Sequence, residues 1–132
     1  MSDAREFEEV KKQAPKVVVL CGSSRFVDIM AVCAWILERD EGAITMGLHL
    51  LPTWYSENLP PDHLAEHEGV ADAMDELHLR KIDLADEVFV VDAGGYIGSS
   101  CANEIRYAES RKLPIRYFQQ DPLRRKIDEI VN

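Results

Sequence analysis

The chain has 132 residues, with 15 Lys+Arg against 24 Asp+Glu, a formal net charge of -9 and 46% hydrophobic residues. That length suits one domain whose core needs no staples, and the composition is too apolar for a disordered chain. The acidic balance, with a pI of about 4.8, excludes a dedicated nucleic-acid binder and a polybasic membrane anchor, yet leaves room for a small anion held by backbone amides and an arginine.

Cys21, Cys33 and Cys101 include no C-x-x-C pair, which fits a reducing compartment rather than a disulfide framework or a zinc knuckle. Met1 to Pro15 is charged and lacks the apolar run of a signal peptide, so a soluble cytoplasmic protein is expected. Residues 3–13 read as a polar helical lead-in, and 16–132 as a single domain. Val17 to Cys21 is a β-branched run without alternation, the mark of a strand buried on both faces. It stops at Gly22-Ser23-Ser24. A helix is predicted from Phe26 to Arg39, ended by Asp40-Glu41-Gly42. A second strand follows from Ala43 to Leu50, then a long loop with Pro52, Trp54, Tyr55, Pro60 and Pro61; loops of that length inside compact domains tend to be functional. A helix over Gly69 to Ile82 is predicted to bury Val70, Met74 and Leu77. Glu87 to Asp92 is a third strand, Ala93 to Ser100 a Gly/Ser loop, and Ala102 to Arg111 a helix. Ile115 to Phe118 is a fourth strand, and Asp121 caps a last helix to Val131 with Pro122 at its first position.

This alternation predicts an α/β fold: an open parallel sheet of four to five strands in the order 2-1-3-4, flavodoxin/Rossmann-like, with helices on both faces. Ligands of such sheets bind beyond the carboxyl ends of the strands, where the order reverses. Here that is where the loops after strands one and three meet.

The usual phosphate-binding signatures G-x-G-x-x-G and G-x-x-x-x-G-K-[ST] are absent, and Gly98-Ser99-Ser100-Cys101-Ala102 lacks the last glycine of a nucleophile elbow. His63-Leu64-Ala65-Glu66-His67 matches H-x-x-E-H, a zinc pattern, but no third ligand is identifiable downstream. A zinc-dependent hydrolase is therefore a distant alternative. Gly22, Ser23 and Ser24 could let a ligand approach the backbone beside a helix start, with Arg25 as anion clamp; an ordinary capped turn would read the same way. Trp54 and Tyr55 could stack on a base or simply anchor their loop. Glu104 is placed in the first turn of its helix, where the dipole favours the ionised form. It follows a glycine-rich loop and Ser99-Ser100. A carboxylate beside such a cradle suits attack on an anomeric carbon. Asp92, at the end of the third strand, is a candidate to protonate or orient a leaving group, or else a loop cap.

Cys21-Gly22-Ser23, the stretch Leu84-Ala85-Asp86-Glu87-Val88-Phe89-Val90-Val91, and Gly94-Gly95-Tyr96-Ile97-Gly98-Ser99-Ser100 leading into Asn103-Glu104-Ile105-Arg106-Tyr107-Ala108 resemble the nucleoside 2-deoxyribosyltransferase superfamily, which includes the deoxynucleoside 5′-monophosphate N-hydrolases. The resemblance covers about residues 16–118. It implies cleavage or transfer of the N-glycosidic bond of a deoxyribonucleoside or its 5′-monophosphate, with Glu104 as nucleophile on C1′. It implies that Gly22, Ser23, Gly98, Ser99 and Ser100 hold the sugar or its phosphate, that no metal or organic cofactor is used, and that the protein is a homodimer or higher homo-oligomer. The family usually carries an aspartate eight residues before the Asp of the Ala-Asp pair; this chain has His78 there. Asp75, one turn nearer the ligand edge, could replace that carboxylate, with His78 as hydrogen-bond partner or acid. The departure also admits a non-catalytic nucleotide or nucleotide-sugar binding module.

Overall fold

Val17–Gly22 (β1), Ile44–Met46 (β2), Glu87–Val91 (β3) and Ile115–Tyr117 (β4) form one parallel sheet in the order β2-β1-β3-β4. The computed structural model describes residues 14–47, 51–56 and 68–131. The expected lead-in over 3–13, the end of the expected second strand at 48–50 and the H-x-x-E-H stretch at 63–67 lie outside them. Four α-helices are described: Val27–Glu41 (α1), Ala71–Asp83 (α2), Ser99–Ser110 (α3) and Leu123–Val131 (α4). The architecture is the predicted one, an α/β fold around an open parallel sheet. None of its described helices is long and apolar enough to cross a membrane.

Strand alternation decides which residues face which helices. Val18 and Leu20 of β1 join Phe89 and Val91 of β3 in a cluster with Met30, Cys33, Ile36 and Leu37 of α1 and Leu123 and Ile127 of α4. Val19 and Cys21 point the other way and join Val88 and Val90 under Ile82 of α2 and Cys101, Ile105 and Ala108 of α3. β1 and β3 are therefore covered on both faces, which is why they read as unbroken apolar runs. Each large apolar side chain so buried contributes about 1.5–3 kcal/mol.

Local chemistry sets the ends. α1 stops where Gly42 takes φ 65° and its N–H bonds the carbonyls of Glu38 and Leu37, a conformation glycine adopts without a Cβ penalty. α4 starts where Asp121 Oδ1 accepts the Leu123 amide at 3.0 Å. Along α2 the predicted stripe needs correcting. Val70 and Leu77 are 38% and 48% exposed, while His78 and Ile82 are buried and Met74 is half-buried. Met74, His78 and Ile82 recur every four residues along one helix face. A polar His78 is tolerated on that face because Cys21 and Glu104 lie opposite it.

Candidate functional site

β1 and β3 are hydrogen-bonded neighbours, with Gly22 opposite Val91, and their following loops part toward opposite faces of the sheet. Gly22 is buried, and a Cβ there would meet the Val91 carbonyl oxygen at 3.1 Å and Met30 Sδ at 3.3 Å. The glycine is thus required by close packing between strand and helix. Ser23 caps the short 3-10 turn Ser24–Phe26, its Oγ accepting the Arg25 amide at 3.3 Å. After β3 the chain reverses through Gly94 (φ 64°) and Gly95 (φ 81°). Tyr96 then ties the two loops together: the Arg25 guanidinium lies 4.0 Å over its ring, Phe26 packs edge-on at 5.9 Å, and its hydroxyl sits 3.4 Å from where a Gly98 Cβ would be.

α3 starts at Ser99, three residues earlier than the sequence suggests, so Glu104 falls in its second turn rather than its first. Ser99 and Asn103, and Ser100 and Glu104, are then four residues apart on neighbouring helix rows. Together with Asp75 of α2 they line a cavity of about 240 Å³. That is smaller than the roughly 300–1,000 Å³ of drug-sized pockets and has room for a sugar ring rather than a whole nucleotide.

Glu104 is 4% exposed, and its Oε2 makes no hydrogen bond among the described residues. Behind it stand His78, with Nε2 at 3.7 Å from that oxygen, and Cys21, with Sγ at 3.6 Å from the same nitrogen. Burial pushes the Glu104 carboxyl up to about 7; the Cys21 thiol, by hydrogen bonding, pulls the other way, Asp75 adds to the rise and Lys81 opposes it. The expected dipole effect does not decide the matter, because desolvation in the second turn outweighs it. Burial also pushes the Cys21 thiol well above its usual range and the Cys101 thiol up to about 12, with Glu104 adding to both. Neither cysteine is a thiolate on its own.

The structure thus brings Glu104, Asp75, His78, Ser99 and Ser100 together. Asp92 is buried at the end of β3, and its Oδ1 accepts the Gln119 amide at 3.0 Å, the loop-capping arrangement. It is not among the residues lining the cavity. Trp54 and Tyr55 lie on a 3-10 turn, Thr53–Ser56, and are 71% and 50% exposed. Their rings meet edge-on at 6.4 Å, and the Tyr55 hydroxyl donates to Glu68 Oε1 at 3.3 Å. Asn103 lines the cavity, Cys21 stands behind Glu104 and Tyr96 packs under Arg25; all three fall inside the quoted motifs, but none was assigned a role there. The four-residue spacing from Ser99 to Asn103 could have exposed the first, had the helix start been placed correctly.

No protein-family model, curated protein or solved structure matches the chain.

Proposed function

We propose that the protein cleaves or transfers the N-glycosidic bond of a deoxyribonucleoside or deoxyribonucleoside 5′-monophosphate, with Glu104 as nucleophile. The observation that carries this reading is a buried carboxylate, Glu104, lining a cavity of about 240 Å³ with Asp75, Ser99, Ser100 and Asn103 at the carboxyl edge of the sheet. The motif resemblance around Gly22, Ala85-Asp86 and Glu104 supports the choice of sugar. A Glu104 oxygen attacks C1′ as the C1′–N bond breaks. The bonding pair leaves on the base nitrogen, which takes a proton at the open mouth of the cavity. Water, or a second base, then displaces the carboxylate from C1′, restoring Glu104. The hydroxyls of Ser99 and Ser100 and the Asn103 amide hold the sugar and its 5′ group, and the Asp75 carboxylate accepts from a sugar hydroxyl. His78 sits behind Glu104 and fixes its position.

A panel of deoxyribonucleosides and their 5′-monophosphates, incubated with the protein and read by chromatography for free base, tests this. Glu104→Ala is expected to lower base release about 10⁴-fold or more, as removal of a nucleophile does in other enzymes. Release at the parent rate by that variant would falsify the mechanism. The position of His78 beside Glu104 favours a second reading, a binding module of the same fold that no longer turns over. It predicts that no substrate is cleaved while one of them raises the melting temperature.

A further inference from the structure

Three donors of different chemistry converge behind the cavity: Sγ of Cys21 on β1, Nε2 of His78 on α2 and a carboxylate oxygen of Glu104 on α3. All three residues are buried, and these atoms lie within 4.8 Å of one another. A tetrahedral zinc with one sulfur at about 2.3 Å and nitrogen and oxygen at about 2.0–2.1 Å holds its donors about 3.3–3.6 Å apart. The observed sulfur–nitrogen separation is 3.6 Å and the nitrogen–oxygen separation 3.7 Å. Two of the three donor edges are therefore within a few tenths of an ångström of those of a tetrahedral ion, and the third, from Cys21 Sγ to the Glu104 oxygen, lies within 4.8 Å. A second, independent observation points to a cation: Oε2 of Glu104 is buried without a hydrogen bond, and such an oxygen is costly to leave unmatched. Glu104 also lines the cavity, which supplies the fourth, open position that three-ligand zinc sites keep for water or an exogenous group.

We propose that Cys21, His78 and Glu104 bind a thiophilic divalent cation, zinc being the ion that fits, and that its occupancy switches off the chemistry of the same site. The thiolate and imidazole select against magnesium and calcium, which prefer all-oxygen sets. On binding, the Cys21 thiol releases its proton to solvent and the metal–sulfur bond replaces the S–H bond. The inhibitory half rests on the glycosidic reading: a carboxylate ligated to zinc has its negative charge drawn onto the metal and its position fixed there, and is a much weaker nucleophile toward C1′.

The test is cobalt titration of the full chain, freed of metal with a chelator, followed by zinc displacement. One equivalent of cobalt is expected to give a sulfur-to-cobalt charge-transfer band and the visible bands of a tetrahedral ion, both bleached by zinc. Cys21→Ser is expected to remove the charge-transfer band, and Glu104→Gln to weaken binding at least about tenfold, no less than outer-shell changes do at known metal sites. Zinc is expected to raise the melting temperature of the parent and not of Cys21→Ser. No spectral change with unaltered melting overturns the proposal. So does a charge-transfer band retained in Cys21→Ser, or metal binding that is lost only when His63 and His67 are both replaced. Zinc is also expected to suppress base release at least about tenfold, reversed by the chelator. Zinc bound by the three residues with release unchanged overturns the inhibitory half. A protein that binds zinc but releases no base under any condition refutes the glycosidic reading and leaves the metal site standing.

Discussion

Two groups of charge lie against this sheet, and they are treated in opposite ways. On the α1/α4 face Arg116 of β4 is surrounded by acceptors. It bonds both Glu41 oxygens, at 2.9 and 3.0 Å, Glu87 Oε1 at 3.0 Å and both Asp121 oxygens, at 3.0 and 3.3 Å, while its guanidinium carbon lies 5.2 Å from the Phe89 ring centroid. Lys16 covers the other Glu87 oxygen at 2.8 Å. On the α2/α3 face Glu104 keeps an oxygen with no hydrogen bond. The same chain can satisfy a buried carboxylate completely, so the exception at Glu104 is a property of that place and not of the fold. The two groups also respond to pH with opposite signs. Burial alone would raise Asp121, but Arg116 and the Leu123 amide outweigh it and hold the carboxyl below its usual range. A depressed carboxyl contributes stability that is present above its unfolded value and lost as pH falls through the folded one. Glu104 is raised instead, so its penalty grows as pH climbs from its unfolded value of 4.5 to about 7 and is complete above that.

Breaking the satisfied group is expected to have the largest effect on stability. Arg116→Met keeps an apolar stem over Phe89 but strands Glu41, Asp121 and one oxygen of the 6% exposed Glu87. Of these only Glu87 is buried, and stranding a buried charge costs about 3–5 kcal/mol. The lower end, about 3 kcal/mol, is expected, because 26% of the Arg116 side chain remains exposed. Urea unfolding measures it, and adding Glu87→Gln should recover part of the loss. A loss below about 1 kcal/mol would place this network among the surface pairs that contribute little.

The same operation on the unsatisfied group is expected to change sign. Glu104→Gln removes a charge that the fold disfavours. Relative to the parent, the variant should gain about 2–3 kcal/mol between about pH 5 and about pH 8 in a chelating buffer. Cys21, His78, Asp75 and Lys81 face the carboxylate, so the matching titration in Glu104→Gln is the needed control. In the glycosidic reading only the ionised form attacks, so base release by the parent should rise with pH and level off above about 7. Flat stability differences and a flat rate profile would together show that Glu104 is no more perturbed than a surface carboxylate.

How much of this contrast could be read from the letters follows from what each residue depends on. The sheet order was legible because buried parallel strands leave unbroken apolar runs at Val17–Cys21 and Val88–Val91, and the pairing rules for such strands are few. The position of Glu104 at the ligand edge was legible from topology, and that of Asp75 from the resemblance together with the direction of the crossover helix. Two things were not. Helix starts shift by a turn without changing periodicity, so the sequence pattern starts α3 at Ala102 and puts Glu104 in reach of the helix dipole, whereas the helix begins at Ser99. The apolar pattern runs the α2 stripe through Leu77, which the fold leaves 48% exposed. Only the tertiary partners Cys21 and Glu104 make a histidine the better occupant of the buried face. Arg116 was invisible for the same reason, as its partners Glu41, Glu87 and Asp121 come from distant parts of the chain.

The smallest effect is expected lower on the α2/α3 face, where the same two helices carry a third cluster in partial contact with water. The Tyr107 hydroxyl donates to Asp83 Oδ1 at 2.5 Å, Asp83 pairs with Arg80 and Arg111 at 3.2 Å each, and both guanidiniums lie 5.8 Å from the Tyr107 ring. Tyr107→Phe keeps the ring and deletes two hydrogen bonds, the one donated to Asp83, which still has two cations, and a longer one accepted from Arg80 at 3.3 Å. A loss of about 0.5–1 kcal/mol is expected, diminished at high salt. Asp75 and Glu104 sit further along these helices, toward the carboxyl edge, and their separation is set by the apolar packing of α2 and α3 on Val19, Val88 and Val90 rather than by this cluster. Base release by Tyr107→Phe should therefore stay within about threefold of the parent, under 1 kcal/mol on the barrier. A fall of about a hundredfold with stability preserved would mean instead that the lower cluster sets how α2 and α3 sit against each other, and with it the width of the cavity between Asp75 and Glu104.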